Sequence, residues 1–437
     1  MINIINSRVK EIFELGLQMQ KEKNFKDAIK YYKEVVKIDP SIVFAYYNLG
    51  LIYEKLGNIE IAKKYYQRAI NLEPLFVHSY TNLGIIFQKE GAKEKAIKYF
   101  TKVIDIDPNN FNSYNNLGLV YASQGKYDKA VDNYLKSLRI KGNNIVALKS
   151  LIFLLTYYVP DTSHPLVKAN NELRLLQKKY SLTDLLKTNT LGLILRNSLN
   201  ILNKLSININ NLDFFETQAY RRNPKDLNCD YHHKVFNKSK IIPKFCFACF
   251  KIQIEPKSVL DLIRLFFIFD NLNLSKNNQR KCMVEFRNDV SGLYKGMIYC
   301  TSLEEAKEIL REITPKLKNS LEFKVDIKRG CSEFYKLFPN YKFTDSNNKN
   351  FMDYDKNWEE IEENIKITRN FNTIKLNNSV PGLSISDFLV IIQWLNYAKI
   401  IGDLTYKEIN LDFFGSRFID HQLTKQVEFR KKEFNNI

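Results

Sequence analysis

The sequence predicts two parts of different class, an all-α repeat array followed by a mixed α+β domain. Three observations predict this. Pro40, Pro74 and Pro108 recur 34 residues apart, and a fixed period of that size marks a repeat architecture. Apolar residues keep a helical 3-4 spacing to about residue 220 and then change to strand-like alternation. Gly (15) and Pro (11) are sparse in 437 residues, which favours long regular elements over a loop-rich β fold.

The remaining composition narrows the class. At 45% hydrophobic and 26% charged, the chain is neither disordered, collagenous nor a Cys-dense miniature. Its length predicts two or three domains with real cores. The six cysteines all lie from Cys229 onward, which does not read as a disulfide framework. The start, MINIINSRVKEIF, has no apolar signal core. Apolar runs such as Leu151–Leu155 and Phe266–Phe269 fall short of the roughly 20 residues of a spanning helix. The expectation is a soluble, cytoplasmic protein with no membrane span. The net charge of +18 leaves nucleic acid, an acidic partner or a membrane surface open. Residues 1–150 hold 23 Lys+Arg against 15 Asp+Glu, so the basicity is spread over both parts and is a weaker footprint than a patch.

Gly50, Gly84 and Gly118 share the period, as do Asn48, Asn82 and Asn116. The units are 9–42, 43–76, 77–110 and 111–144, each with two helices. In the second, Tyr46, Leu49, Gly50 and Tyr53 mark the first helix, and Ala62, Tyr66 and Ala69 the second. Leu49 and Tyr53, four apart, share a face. Gly50 and Ala62 are small and predict close helix approach. Pro74 ends the unit because it cannot continue a helix. The third unit repeats the pattern with Tyr80, Leu83, Gly84, Phe87, Ala96, Phe100 and Pro108, and the fourth with Tyr114, Leu117, Gly118, Tyr121, Ala130 and Tyr134. The first keeps Leu15, Gly16, Ala28, Tyr32 and Pro40, and the fourth has Gly142 where the proline falls.

This pattern resembles the tetratricopeptide repeat family over residues 9–144 of an array spanning 1–144. The resemblance implies a right-handed α-solenoid whose first helices line a concave groove that binds a protein or peptide. The family's carboxylate clamp needs Lys and Arg at places that here hold Phe13, Leu17, Phe44, Tyr47, His78, Thr81, Asn112 and Asn115. Only an asparagine series survives, Asn48, Asn82 and Asn116. It looks like the ladder of arrays of the O-linked N-acetylglucosamine transferase type, where amides hold the backbone of an extended peptide. An amide both donates and accepts, so it can hold a peptide unit whatever the side chain. The competing reading is that Asn recurs because this chain is Asn-rich.

Residues 145–158, IVALKSLIFLLTYY, predict a helix apolar nearly all round, which is expected to be buried and to connect the array to the C-terminal region. The boundary is predicted at PDTSHP, residues 160–165. Residues 166–220 predict two or three helices. Residues 221–437 predict the α+β domain, with a β-α-β-β-α-β, ferredoxin-like core at about 245–330. PKFCFACFKIQIEP predicts its first strand, with Cys246, Ala248, Phe250, Ile252 and Ile254 toward the helices. Pro256–Phe269 predicts a helix, RKCMVEFR and GLYKGMIYC two strands joined by a turn at 288–292, and SLEEAKEILREI a helix capped by Ser302. LEFKVDIKRG predicts the last strand, SISDFLVIIQWLNYAKI a helix, and 422–434 another.

Three chemistries compete in this domain. The RNA-recognition motif shares the β-α-β-β-α-β order, and Lys295-Gly296-Met297-Ile298-Tyr299-Cys300 faintly resembles its third-strand motif. Phe245, Phe247 and Tyr299 would then be stacking residues. Cys229-x2-His232 with Cys246-x2-Cys249 has metal-ligand spacing, so zinc is a candidate cofactor. Residues i and i+3 of a strand point to opposite faces, however, and buried thiols are ordinary core. No phosphate loop, nucleophile elbow or metalloprotease helix is present, so no catalytic residue is assigned. The ladder resemblance raises a fused transferase, glycosyltransferase-like, whose polar site would draw on Arg221-Arg222, Lys328-Arg329 and Cys331-Ser332-Glu333; the plainer reading of these is surface charge and a turn at Gly330. The leading expectation is a scaffold or adaptor without a cofactor, with the transferase and an RNA-associated protein as alternatives.

Overall fold

The computed structural model describes residues 2–205, 212, 216–221, 229–287, 290–365, 378–413, 415, 417–424 and 426–436. The chain divides into two compact units, one through Leu148 and one that begins at Lys149. No helix among the described residues is long and apolar enough to cross a membrane.

The first unit is four helix pairs: α1 (Ile2–Lys21) with α2 (Phe25–Ile38), α3 (Val43–Lys55) with α4 (Ile59–Leu72), α5 (Val77–Lys89) with α6 (Lys93–Ile106), and α7 (Phe111–Ser123) with α8 (Tyr127–Ile140). Each second helix ends in the same way. The N–H groups of Asp39, Glu73, Asp107 and Lys141 bond the carbonyls of Val35, Ala69, Val103 and Ser137. Gly142 therefore replaces the proline without changing the stop. The helices of a pair approach closely, as the small residues predict. A Cβ on Gly50 would stand 2.6 Å from the Tyr66 ring, so the glycine makes room for an aromatic side chain. Gly16, Gly84 and Gly118 clear Tyr32, Phe100 and Tyr134 alike, and these rings are fully buried.

The second unit takes in the end of α9 (Ile145–Leu154), whose Leu151, Ile152 and Leu154 are buried. It continues through α10 (Pro165–Lys178), α11 (Leu182–Leu185), α12 (Thr188–Asn203), β1 (Gln218–Arg221), α13 (Cys229–Ser239), β2 (Phe250–Pro256), α14 (Val259–Asn271), β3 (Arg280–Val284), β4 (Tyr294–Cys300), α15 (Leu303–Lys318) and β5 (Phe323–Arg329). It closes with α16 (Trp358–Asn364), α17 (Ile385–Ile401), α18 (Arg417–Leu423) and α19 (Val427–Asn435). The sheet is antiparallel throughout, in the order β1-β3-β4-β2-β5.

One face of the sheet carries Phe250, Ile252, Ile254, Cys282, Val284, Ile298 and Cys300, all buried. It packs on α14 and α15. The approach of α14 is close enough that a Cβ on Gly296 would strike Leu265 and Phe269. Helix α17 is apolar on every side and buried at almost every position, as such a helix must be.

Three sequence expectations are corrected. The first core strand begins at Phe250, because Pro243 opens a 3-10 turn over Lys244–Ala248 in which Cys246 N–H bonds the Pro243 carbonyl at 2.9 Å. The stretch ending the helical segment, Gln218–Arg221, is an edge strand paired with β3. The predicted last helix is two, α18 and α19. Of the turn at 288–292, residues 288 and 289 lie outside the described residues, as does Arg222.

Candidate functional site

The asparagines sit at the same place on α3, α5 and α7 but in unequal surroundings. Asn48 is 7% exposed and lies beside the Tyr32 hydroxyl. Asn82 is half-buried. Its Nδ2 is buried, without a hydrogen-bond partner, and lies beside the Tyr47 and Tyr66 hydroxyls. Asn116 is half-buried. The third unit offers it Phe100 where the earlier units have tyrosine. Its side chain makes no hydrogen bond among the described residues.

Next to them runs an aromatic group. Phe44 meets Phe76 edge-on at 5.2 Å, and Tyr47 meets Phe76 at 5.4 Å and His78 at 5.7 Å. Phe44 and Leu17 are exposed.

In the second unit, the sheet face away from α14 and α15 is polar. Lys251 pairs in register with Tyr299, Gln253 with Met297, and Lys281 with Met297. Most of it is covered, with Lys251 at 5% exposure and Gln253, Lys295 and Met297 buried. Lys295 bonds Glu285 at 2.9 Å, and Arg287 clamps the same carboxylate through two bonds of 2.9 Å. Burial pushes the Glu285 carboxyl up, but Arg287 and Lys295 outweigh it and hold the group at about 2. Lys281 donates to Gln218 at 3.1 Å and lies over the Tyr220 and Tyr299 rings. Lys251 makes no hydrogen bond or ion pair among the described residues. Burial pulls its ammonium down to about 8, and burial lowers Lys281 as well.

The stacking trio is not assembled. Tyr299 is on the polar face, half-buried. Phe245 and Phe247 precede the strand, in the 3-10 turn that Pro243 starts. There Phe245 packs on Tyr231, and Phe247 on Tyr341 and Tyr354.

The four residues with metal-type spacing do not make up one group of converging ligand atoms among the described residues. Cys246 is buried in the same apolar cluster as Cys331, with Ile242, Phe334 and Tyr341. Cys249 lies against Gly330, where a Cβ would strike its sulfur. Cys229 is exposed at the start of α13. Only His232 belongs to a group of converging ligand atoms, with Cys331 and Glu333, all within 4.8 Å of one another. Burial raises the Cys331 thiol. Burial also opposes ionisation of Glu333, but its contact with His232 wins and holds it at about 2. The sequence named the Cys331-Ser332-Glu333 stretch without joining it to His232, 99 residues away.

Family models described as tetratricopeptide repeat match residues 43–75, 78–110 and 99–132, and one described as TPR repeat matches 21–57. Residues 21–132 are tetratricopeptide repeats, and the array is a protein-interaction scaffold. No curated protein matches the chain. Similar solved structures include a crystal structure of MamA protein, 29% identical over 33% of this chain and 79% of that one, with a TM-score of 0.31. Another crystal structure of MamA is 30% identical over 32% and 81%, TM-score 0.30. A third, MamA 41-end from Desulfovibrio magneticus RS-1, is 18% identical over 33% and 82%, TM-score 0.32. The matches give no positive indication of a cofactor.

Proposed function

We propose that the array holds an extended protein segment along its first helices, with Asn48, Asn82 and Asn116 as rungs and the Phe44–Phe76 group as an apolar anchor. The supporting observation is Asn116, half-buried and without a side-chain hydrogen bond among the described residues. Its amide is therefore open to a peptide backbone, which offers both a donor and an acceptor. The rungs are graded. Asn116 is the most available and Asn48 the least.

The test is a displayed library of unstructured segments selected on the full-length chain. Asn82→Ala with Asn116→Ala should weaken a selected peptide by about 1 kcal/mol per rung, about fivefold each. Asn48→Ala should do less. Unchanged affinity in the double variant removes the ladder.

We read β2 to β5 with α14 and α15 as a split, ferredoxin-like core, supported by their chain order and by the sheet order β3-β4-β2-β5. We also infer a cytoplasmic setting, supported by the buried thiols Cys246, Cys282, Cys300 and Cys331. The covered sheet face supports neither an RNA-stacking platform nor a sugar-nucleotide site.

A further inference from the structure

Among the described residues of the second unit, one group of soft and hard donors converges from distant parts of the chain. His232 comes from α13. Cys331 and Glu333 come after β5, which ends at Arg329. The Cys331 sulfur is 3.6 Å from His232 Nε2, and Glu333 Oε1 is 3.6 Å from the same nitrogen. His233 Nε2 lies 3.3 Å from that same carboxylate oxygen. His232 and Cys331 are buried, whereas the Glu333 side chain is 31% exposed.

The carboxylate contact of 3.6 Å is long for an N–H···O hydrogen bond, which closes at 2.7–3.2 Å, whereas the sulfur contact is of ordinary length for a sulfur hydrogen bond. Both separations suit ligands that share an ion. Zinc bonds of about 2.3 Å to sulfur and about 2.0–2.1 Å to nitrogen, set at a tetrahedral angle, leave the two ligand atoms about 3.6 Å apart. The arrangement also differs from a Cys-His-acid catalytic set. In that set the nucleophile and the acid use opposite ring nitrogens. Here the carboxylate approaches Nε2 and the sulfur lies 3.6 Å from Nε2 and 3.7 Å from Nδ1, so it does not take the nitrogen opposite the acid.

We propose that His232, Cys331 and Glu333 bind a divalent transition-metal ion, zinc being the best fit to one nitrogen, one sulfur and one oxygen. Three protein donors leave a tetrahedral ion one position for an exogenous ligand, as in sites that do chemistry. The cysteine pair that spacing suggested, Cys246 and Cys249, is outside the set.

The test uses the full-length chain, stripped with a chelator and titrated with cobalt(II) as a coloured stand-in for zinc. A thiolate-to-cobalt charge-transfer band and the intense visible bands of a tetrahedral ion are expected. Cys331→Ser should abolish the charge-transfer band, whereas Cys246→Ser and Cys249→Ser should keep it. Glu333→Gln keeps the shape of a partly exposed side chain and so guards against misfolding. It should weaken zinc competition by more than the tenfold that even outer-shell partners cost. A wild-type chain without the band overturns the proposal, and so does a band that survives Cys331→Ser or is lost in Cys249→Ser.

Discussion

The two units place their charges in opposite ways. In the array the ion pairs lie on the surface. Lys63 reaches Glu60 and Glu90 at 2.6 Å, but those carboxylates are 79% and 36% exposed. In the second unit a guanidinium is sealed in. Arg221 on β1 bonds Asp270 on α14 at 2.8 Å and Asp387 on α17 at 2.7 Å, with side chains 1%, 4% and 4% exposed. Gln177 and the Gly382 N–H complete Asp270 at 2.9 Å each. Asp387 also closes the capping box that starts α17. The difference arises from connectivity. A repeat packs against its neighbours in sequence, so apolar contacts at a fixed period suffice. The α+β unit must bring β1, α14 and α17 together from more than 160 residues apart, and the buried ions fix which of them meet.

Breaking that contrast should give the largest effect. Arg221→Met leaves Asp270 and Asp387 buried without their cation, which costs about 3–5 kcal/mol. The chain has two tryptophans, Trp358 and Trp394, and both lie in the second unit. Tryptophan fluorescence therefore reads that unit alone, while far-UV circular dichroism reads the helices of both. The urea midpoint by fluorescence should fall steeply, with a helical transition from the array left at its old position. An unchanged fluorescence midpoint would mean that the buried ions are not structural.

A smaller effect sharpens the other side. Gly50→Ala drives a methyl to 2.6 Å from the buried Tyr66 ring. Overpacking costs about 1–3 kcal/mol, and the helix propensity of alanine returns up to about 1 kcal/mol of it. The array transition should move down by circular dichroism and the tryptophan transition should stay. A stabilised array would show that the ring has room to withdraw.

Legibility in the sequence divides along the same contrast. The repeats were legible because their period supplies register locally. What the period does not name is the ring that each glycine clears, Tyr66 for Gly50. Helix α17 was legible because it is apolar all round. The site was half legible. His232 and Cys331 stood out as residue types, but their meeting depends on β5 delivering Cys331 to α13, which no local spacing encodes. The Cys246–Cys249 spacing pointed elsewhere. Phe245 and Phe247 alternate like a strand and are not one, because Pro243 has no N–H to give a ladder and the chain turns there.

The smallest effect tests the period itself at the unit where it fails. The turns inside the second, third and fourth pairs use Gly57, Gly91 and Gly125 at φ +80°, +77° and +75°. The matching place in the first pair is Lys23, held at φ +62°. A side chain in that left-handed region costs roughly 1–2 kcal/mol, which glycine avoids. Glycine also loses more entropy on folding, about 0.5–1 kcal/mol. Lys23→Gly should therefore raise the array transition slightly, by less than about 1 kcal/mol, again with no change in tryptophan fluorescence. The same substitution logic predicts a penalty for Gly91→Lys, whose backbone holds the same angle. If Lys23→Gly destabilised the array, the first turn would be using its lysine for something the later turns do not need, and the four pairs would no longer count as one repeated solution.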